Sequence, residues 1–164
     1  MFARTLSQSY EVAVPVAVAW AYLSDPVAVS AQSTHRTWVE KADHGFTAGT
    51  SWVEHHTDDC GSDPVRWLVR SVDAPRRFTV EGLQSGARQR ATTTLTPTTS
   101  GTEVTNLLEI STTWRARATL VERLMLPAML ATGFGISLLA EGFEESLDDD
   151  RRYLEAVAHG LSAR

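Results

Sequence analysis

Residues 65–83 read VRWLVRSVDAPRRFTVEGL, and the fold turns on how this stretch is parsed. Apolar and polar residues alternate over 65–73, the two-residue period of a half-buried strand. Asp73-Ala74-Pro75 interrupts the pattern, which resumes over 77–83. Two such runs across so short a gap predict antiparallel neighbours, because a parallel partner needs a long crossover. Alternation also assigns faces. Trp67, Val69 and Ser71 oppose Arg66, Leu68 and Arg70, while Phe78 and Val80 oppose Arg77, Thr79 and Glu81. The arginines belong in water, so Trp67, Val69, Phe78 and Val80 should point inward.

The same texture extends on both sides. Thr, Val, Trp and Phe predict further strands over 36–42, 49–57, 88–97 and 102–113, separated by turn signals such as His44-Gly45, Gly61-Ser62-Asp63-Pro64 and Ser100-Gly101. Upstream, a strand ends near Val14 and Pro15 opens a helix, a position where the missing N–H costs little. Ser24-Asp25-Pro26 stops that helix and starts a second short one ending near Ser33, since a residue before proline is pushed out of the α region. Downstream, Arg115 to about Gly160 reads as helix. Unbroken, it would span about 68 Å, against a diameter of about 40 Å for a compact domain of this size. A break is therefore expected at Pro127 or at Gly133–Gly135.

The terminal part of that helix is amphipathic. Ile136, Leu139, Phe143, Leu147, Leu154, Val157 and Leu161 follow three-and-four spacing, with Asp150 the one lapse. Glu144, Glu145, Asp148, Asp149, Arg151, Arg152 and Glu155 are expected on the solvated face, with Asp148–Arg152 and Arg151–Glu155 as i,i+4 pairs. One strand, two short helices, about six antiparallel strands and a long terminal helix make an α+β chain. Only the terminal helix is large enough to cover a curved sheet. The 164 residues suit one domain, 1–164, with no internal boundary.

Composition removes several function classes. A net charge of −5 argues against a nucleic-acid partner, and the single cysteine, Cys60, excludes an internal disulfide or a multi-cysteine zinc site. Leu124 to Ala140 holds 17 residues without a charge. As a helix this covers about 26 Å, short of a hydrocarbon core of about 30 Å. No membrane span is expected, and the composition is that expected of a soluble, cytoplasmic globular domain. A helix apolar all round still needs covering on every side. One side can face a cavity, and the other then calls for a second copy in a homodimer, a lipid surface or a covering loop, unless the whole helix is core.

Several short motifs add a resemblance. Val12-Ala13-Val14-Pro15, Ala19-Trp20 and Leu23-Ser24-Asp25-Pro26 resemble the first strand and helix of the SRPBCC (START/Bet v 1-like) superfamily. Gly49-Thr50-Ser51-Trp52, Val72-Asp73-Ala74-Pro75-Arg76-Arg77-Phe78, Leu95-Thr96-Pro97 and Gly101-Thr102-Glu103-Val104-Thr105 are similar to its polyketide cyclase/dehydrase-like branch. The resemblance implies a helix-grip fold, its sheet wrapped around the terminal helix with a deep apolar cavity between them. It also implies a hydrophobic small-molecule ligand such as a lipid, a sterol-like compound or a polyketide. The superfamily has no universal catalytic motif, so no catalytic residue is carried over, and fold alone does not settle function.

On this reading the lining residues are Trp52, Trp67, Val69, Phe78, Val80, Leu108 and Ile110 from the sheet, with Phe134 and Leu138 from the helix. Glu54, His56 and Asn106 are the candidate polar, and candidate catalytic, groups. Alternation puts Trp52, Glu54 and His56 on one side of their strand and Val53 and His55 on the other, and it leaves open which side is inward. If inward, a Glu and a His could share acid/base work, with Asn106 donating to a developing enolate oxygen. His55 and His56 point to opposite faces, which spoils a metal site, and no cofactor fingerprint occurs. Three functions follow. The first is a binder of a hydrophobic molecule, the second a polyketide cyclase/aromatase-type enzyme. The third is a dimeric or membrane-peripheral interaction protein using helix 124–140.

Overall fold

A computed structural model describes residues 3–34, 37–40, 45–56, 64–84, 87–112 and 134–160. Strand β1 (Ala3–Val12) leads into helices α1 (Val16–Leu23) and α2 (Pro26–Gln32). Six strands follow: β2 (Thr37–Glu40), β3 (Ser51–His56), β4 (Val65–Asp73), β5 (Arg77–Gln84), β6 (Ala87–Pro97) and β7 (Thr102–Thr112). The chain then returns as helix α3 (Phe134–Ala158). Pro15 stands immediately before α1, and Asp25 caps α2 by accepting from the Val27 and Ala28 backbone N–H groups at 3.0 and 3.2 Å. Of the expected break in the terminal helix, Pro127 lies outside the described residues. The described helix begins at Phe134, within the predicted Gly133–Gly135 pair.

All pairings are antiparallel, in the order β1-β7-β6-β5-β4-β3-β2. Strands β1 and β2, consecutive in the chain, therefore sit at opposite edges. The α1–α2 pair carries the chain across between them. Helix α3 packs on β1 and α2, so the three described helices lie on one face, the concave one. This is the expected helix-grip arrangement.

The core divides in two along that face. At the β1 end, Val12, Val14, Leu95 and Val104 close on Ala19, Tyr22 and the fully buried Leu154 of α3. At the other, Trp52, Val69, Phe78 and Val80 pack with Phe46 and Trp67, and Trp20 and Leu23 of α1 touch both groups.

Two expectations need correcting. Strict alternation grouped Ser71 with Trp67 and Val69. A β-bulge between Val69 and Ser71 inserts one residue and re-phases the strand, so Val72 faces Phe78 and Ser71 pairs with Thr79 on the convex side. The charged run of α3 is also not one solvated face. Asp149 is only 8% exposed and accepts from the Thr34 backbone N–H and hydroxyl at 2.8 and 2.9 Å, which ties the end of α2 to α3. Arg152 consequently pairs with Asp149 at 3.6 Å, whereas the Arg151–Glu155 pair forms as expected at 2.8 Å.

Candidate functional site

The register of the ladders builds the concave face in rows. One row runs Ile110, Gln89, Gly82, Trp67, Trp52, each residue directly opposite the next. The adjacent row runs Leu6, Leu108, Ala91, Val80, Val69. A third runs Gln8, Asn106, Thr93, Phe78, Val72. The seven sheet residues expected to line a pocket thus share one face in neighbouring rows. Val69, Val80, Phe78, Trp52 and Ile110 are buried, while Trp67 and Leu108 are half-buried. The side chains of Phe134 and Leu138 lie outside the described residues.

Aromatic rings organise the β3–β5 end. Phe78 meets Trp20 and Phe46 edge-on at 5.7 and 5.0 Å between centroids, and Trp52 lies against Trp67 at 6.1 Å. Offset and edge-on contacts of this kind each add about 0.5–1.5 kcal/mol beyond burial. Gly82 makes room for the row. A Cβ there would stand 2.8 Å from the Trp67 ring, so hydrogen is the only side chain that fits beneath the indole.

The ambiguity over β3 resolves through its register. Trp52 opposite Trp67, and Glu54 opposite Val65, put Glu54 and His56 on the concave side. Glu54 accepts a hydrogen bond from Trp67 Nε1 at 2.8 Å. His55, on the convex side, stacks on Trp38 and bonds Glu40 at 2.7 Å. Asn106 shares the concave face but stands four strands from β3, about 19 Å along the sheet at the usual strand spacing. The sheet makes neighbours of Glu54 and His56, and it does not make Asn106 a neighbour of either. Among the described residues no three His, Cys, Asp or Glu side chains cluster as metal ligands.

Sequence reasoning missed a second set of polar groups at the β1 end. Asp150 is buried and accepts from the Tyr22 hydroxyl at 2.8 Å. Burial, and then the charge of Asp149, push its carboxyl up to about 7, against the opposing effect of the Tyr22 hydrogen bond. Burial and the same Asp150 also push the Tyr10 and Tyr22 phenols up. Thr93 donates to Asn106 Oδ1 at 2.8 Å. The buried Asn106 Nδ2 and Tyr10 hydroxyl have no hydrogen-bond partner among the described residues. The signal for Asp150 was its lapse in an otherwise apolar helix stripe. Tyr10 carried none.

A family model described as "Polyketide cyclase / dehydrase and lipid transport" matches residues 3–155. Solved structures share the fold at low identity. A protein from Rhodobacter sphaeroides is 18% identical, with 96% of this chain and 93% of that one covered and a TM-score of 0.67. Ara h 8.0201 is 12% identical over 93% and 97%, TM-score 0.63. The di-domain ARO/CYC StfQ of the steffimycin biosynthetic pathway is 13% identical, TM-score 0.70, with 96% of this chain but 52% of that one covered. No protein of curated function matches the sequence.

Proposed function

Because the chain belongs to the polyketide cyclase / dehydrase and lipid transport family, within the SRPBCC superfamily, we propose that it binds a hydrophobic small molecule against the concave face of its sheet. A lipid, a sterol-like compound or a polyketide fits the chemistry. One observation carries this reading: apolar and aromatic side chains from four strands fall in adjacent rows of one face, with few polar groups among them. That is the make-up of a small-molecule site. Asn106 Nδ2 and the Tyr10 hydroxyl supply the orienting contacts. An unmet buried donor costs about 1–3 kcal/mol, so a ligand oxygen placed there recovers that cost.

Native mass spectrometry of the purified protein tests the reading, with a denatured sample to identify what is released. The expected result is a stoichiometric hydrophobic passenger, or uptake of one equivalent when the apo protein is offered long-chain lipids. A chain that neither carries nor takes up such a molecule contradicts it.

A cyclase-type enzyme is the second reading, and Asp150 is the observation favouring it. A buried carboxyl balanced near neutral pH is suited to give and take protons. Glu54 and His56, two residues apart on one face of β3, are further candidates for this role. If Glu54→Gln, His56→Gln and Asp150→Asn each leave turnover of the captured molecule unchanged, this reading falls.

A further inference from the structure

The convex face of the sheet carries a groove of about 730 Å³, lined mainly by outward-facing residues and meeting the concave row only at Trp52, Trp67 and Gly82. Its floor is a cross-strand row, Val53, Arg66, Leu83, Arg88, in which apolar and basic residues alternate. Leu68 and the bulge residue Arg70 flank it. This is an unusual outer surface. Leu83 is 50% exposed, and Glu81 beneath the arginines is only 8% exposed.

Glu81 explains how the cations are held. Its carboxylate takes Arg70 at 2.7 Å, Arg90 at 3.4 Å and Arg88 at 3.5 Å, and the Arg70 hydrogen bond holds it below the ordinary carboxylate range. One carboxylate offers about four acceptor sites, whereas three guanidiniums bring about fifteen N–H donors. Most donors are left over, on side chains that the buried acid has already oriented. Arg66 adds a fourth guanidinium with no carboxylate partner among the described residues. Glu40 on the rim is occupied by His55.

We propose that this groove is a second binding site, for an amphipathic anion whose carboxylate or phosphate head sits on Arg66, Arg70 and Arg88 while its apolar body lies along Val53, Leu68 and Leu83. Pre-oriented guanidiniums suit such a head because they present paired donors to two oxygens at once. The volume falls within the about 300–1,000 Å³ of small-molecule sites. A free amphiphile and the headgroup region of an anionic lipid share this chemistry.

Decyl phosphate is the probe, with decanol and inorganic phosphate as controls, followed by backbone amide shifts in the full chain. Decyl phosphate is expected to shift the amides of Arg66, Leu83 and Arg88, and decanol to leave them in place. Arg66→Gln and Arg88→Gln together should weaken this binding about tenfold, the scale of one to two charge-assisted contacts. Arg66 touches no described acid, so Arg66→Gln alone, expected to weaken it less, guards against misfolding. Sedimentation with phosphatidylcholine vesicles containing phosphatidylglycerol distinguishes the sources. Vesicle binding lost in the double variant assigns the site to a lipid headgroup, and solution binding alone assigns it to a free amphiphile. Unchanged affinity in the double variant, or inorganic phosphate binding as well as decyl phosphate, overturns the proposal. Decanol reports the concave face separately, so the two sites fail independently.

Discussion

The two ends of the concave face are built from the same strands and differ in what closes them. At the β1 end, aliphatic side chains meet Leu154 of α3, Tyr22–Asp150 and Thr34–Asp149 tie the helices together, and the Tyr10 hydroxyl and Asn106 Nδ2 have no partner among the described residues. At the β3–β5 end, large rings lean on one another, Trp67 remains half-buried, and Glu54 reaches across to its indole. Filling with branched aliphatics gives a tight seal, because every methylene finds a neighbour. Packing rings edge-on leaves angular space and a polar handle. On the proposed reading, the first end supplies stability together with the orienting groups Tyr10 and Asn106, and the second takes the apolar body of the ligand.

Substitutions can break that division. The largest expected effect is Leu154→Ala, which opens a cavity in the sealed end and should cost about 3 kcal/mol in urea unfolding. Gly82→Ala pushes a methyl into the Trp67 ring and should cost about 1–2 kcal/mol. It should also reduce affinity for an apolar ligand, whereas a loss of stability with affinity intact would move recognition elsewhere.

Asp150 sharpens the comparison through pH. Its folded carboxyl, near 7, lies above its ordinary 3.8, so between those values the folded state binds a proton that the unfolded chain has lost. Stability should therefore be greatest below about pH 4 from this group, and fall as pH rises towards 7, by at most about 1.4 kcal/mol per unit. Asp149, Tyr10, Tyr22 and Tyr153 are the titratable groups around it, and burial pushes the Tyr10 and Tyr22 phenols up, away from this range. Asp150→Asn should flatten the slope in urea titrations run at several pH values. A slope unchanged in the variant would assign it to another group. The smallest effect expected is Thr34→Ala, about 1 kcal/mol, from losing the hydroxyl bond to Asp149 while the backbone bond remains.

Much of this architecture was legible beforehand, for identifiable reasons. Strands β4 to β7 lie within a residue or two of their expected bounds because short turns with Gly, Asp and Pro punctuate a period of two. Trp67, Phe78 and Val80 fell on the expected face because arginines on the opposite side of their strands marked the wet face. The bulge at Arg70 was not legible, since an inserted residue leaves no mark in composition. The side taken by Glu54 and His56 needed a partner strand to decide it. Asp149 read as solvated because a carboxylate is usually outside, and Asp150 read only as a lapse in the apolar stripe. Their burial depends on Thr34 and Tyr22, more than 100 positions away.

The most direct test of a ligand site at the aromatic end is a titration with N-phenyl-1-naphthylamine, a neutral apolar fluorophore, against the wild-type chain and Trp67→Ala. The account predicts saturable binding of about one equivalent, weakened about tenfold in the variant as its largest half-buried aromatic surface is removed. No saturable binding by the wild type, or equal affinity in both proteins, would contradict it.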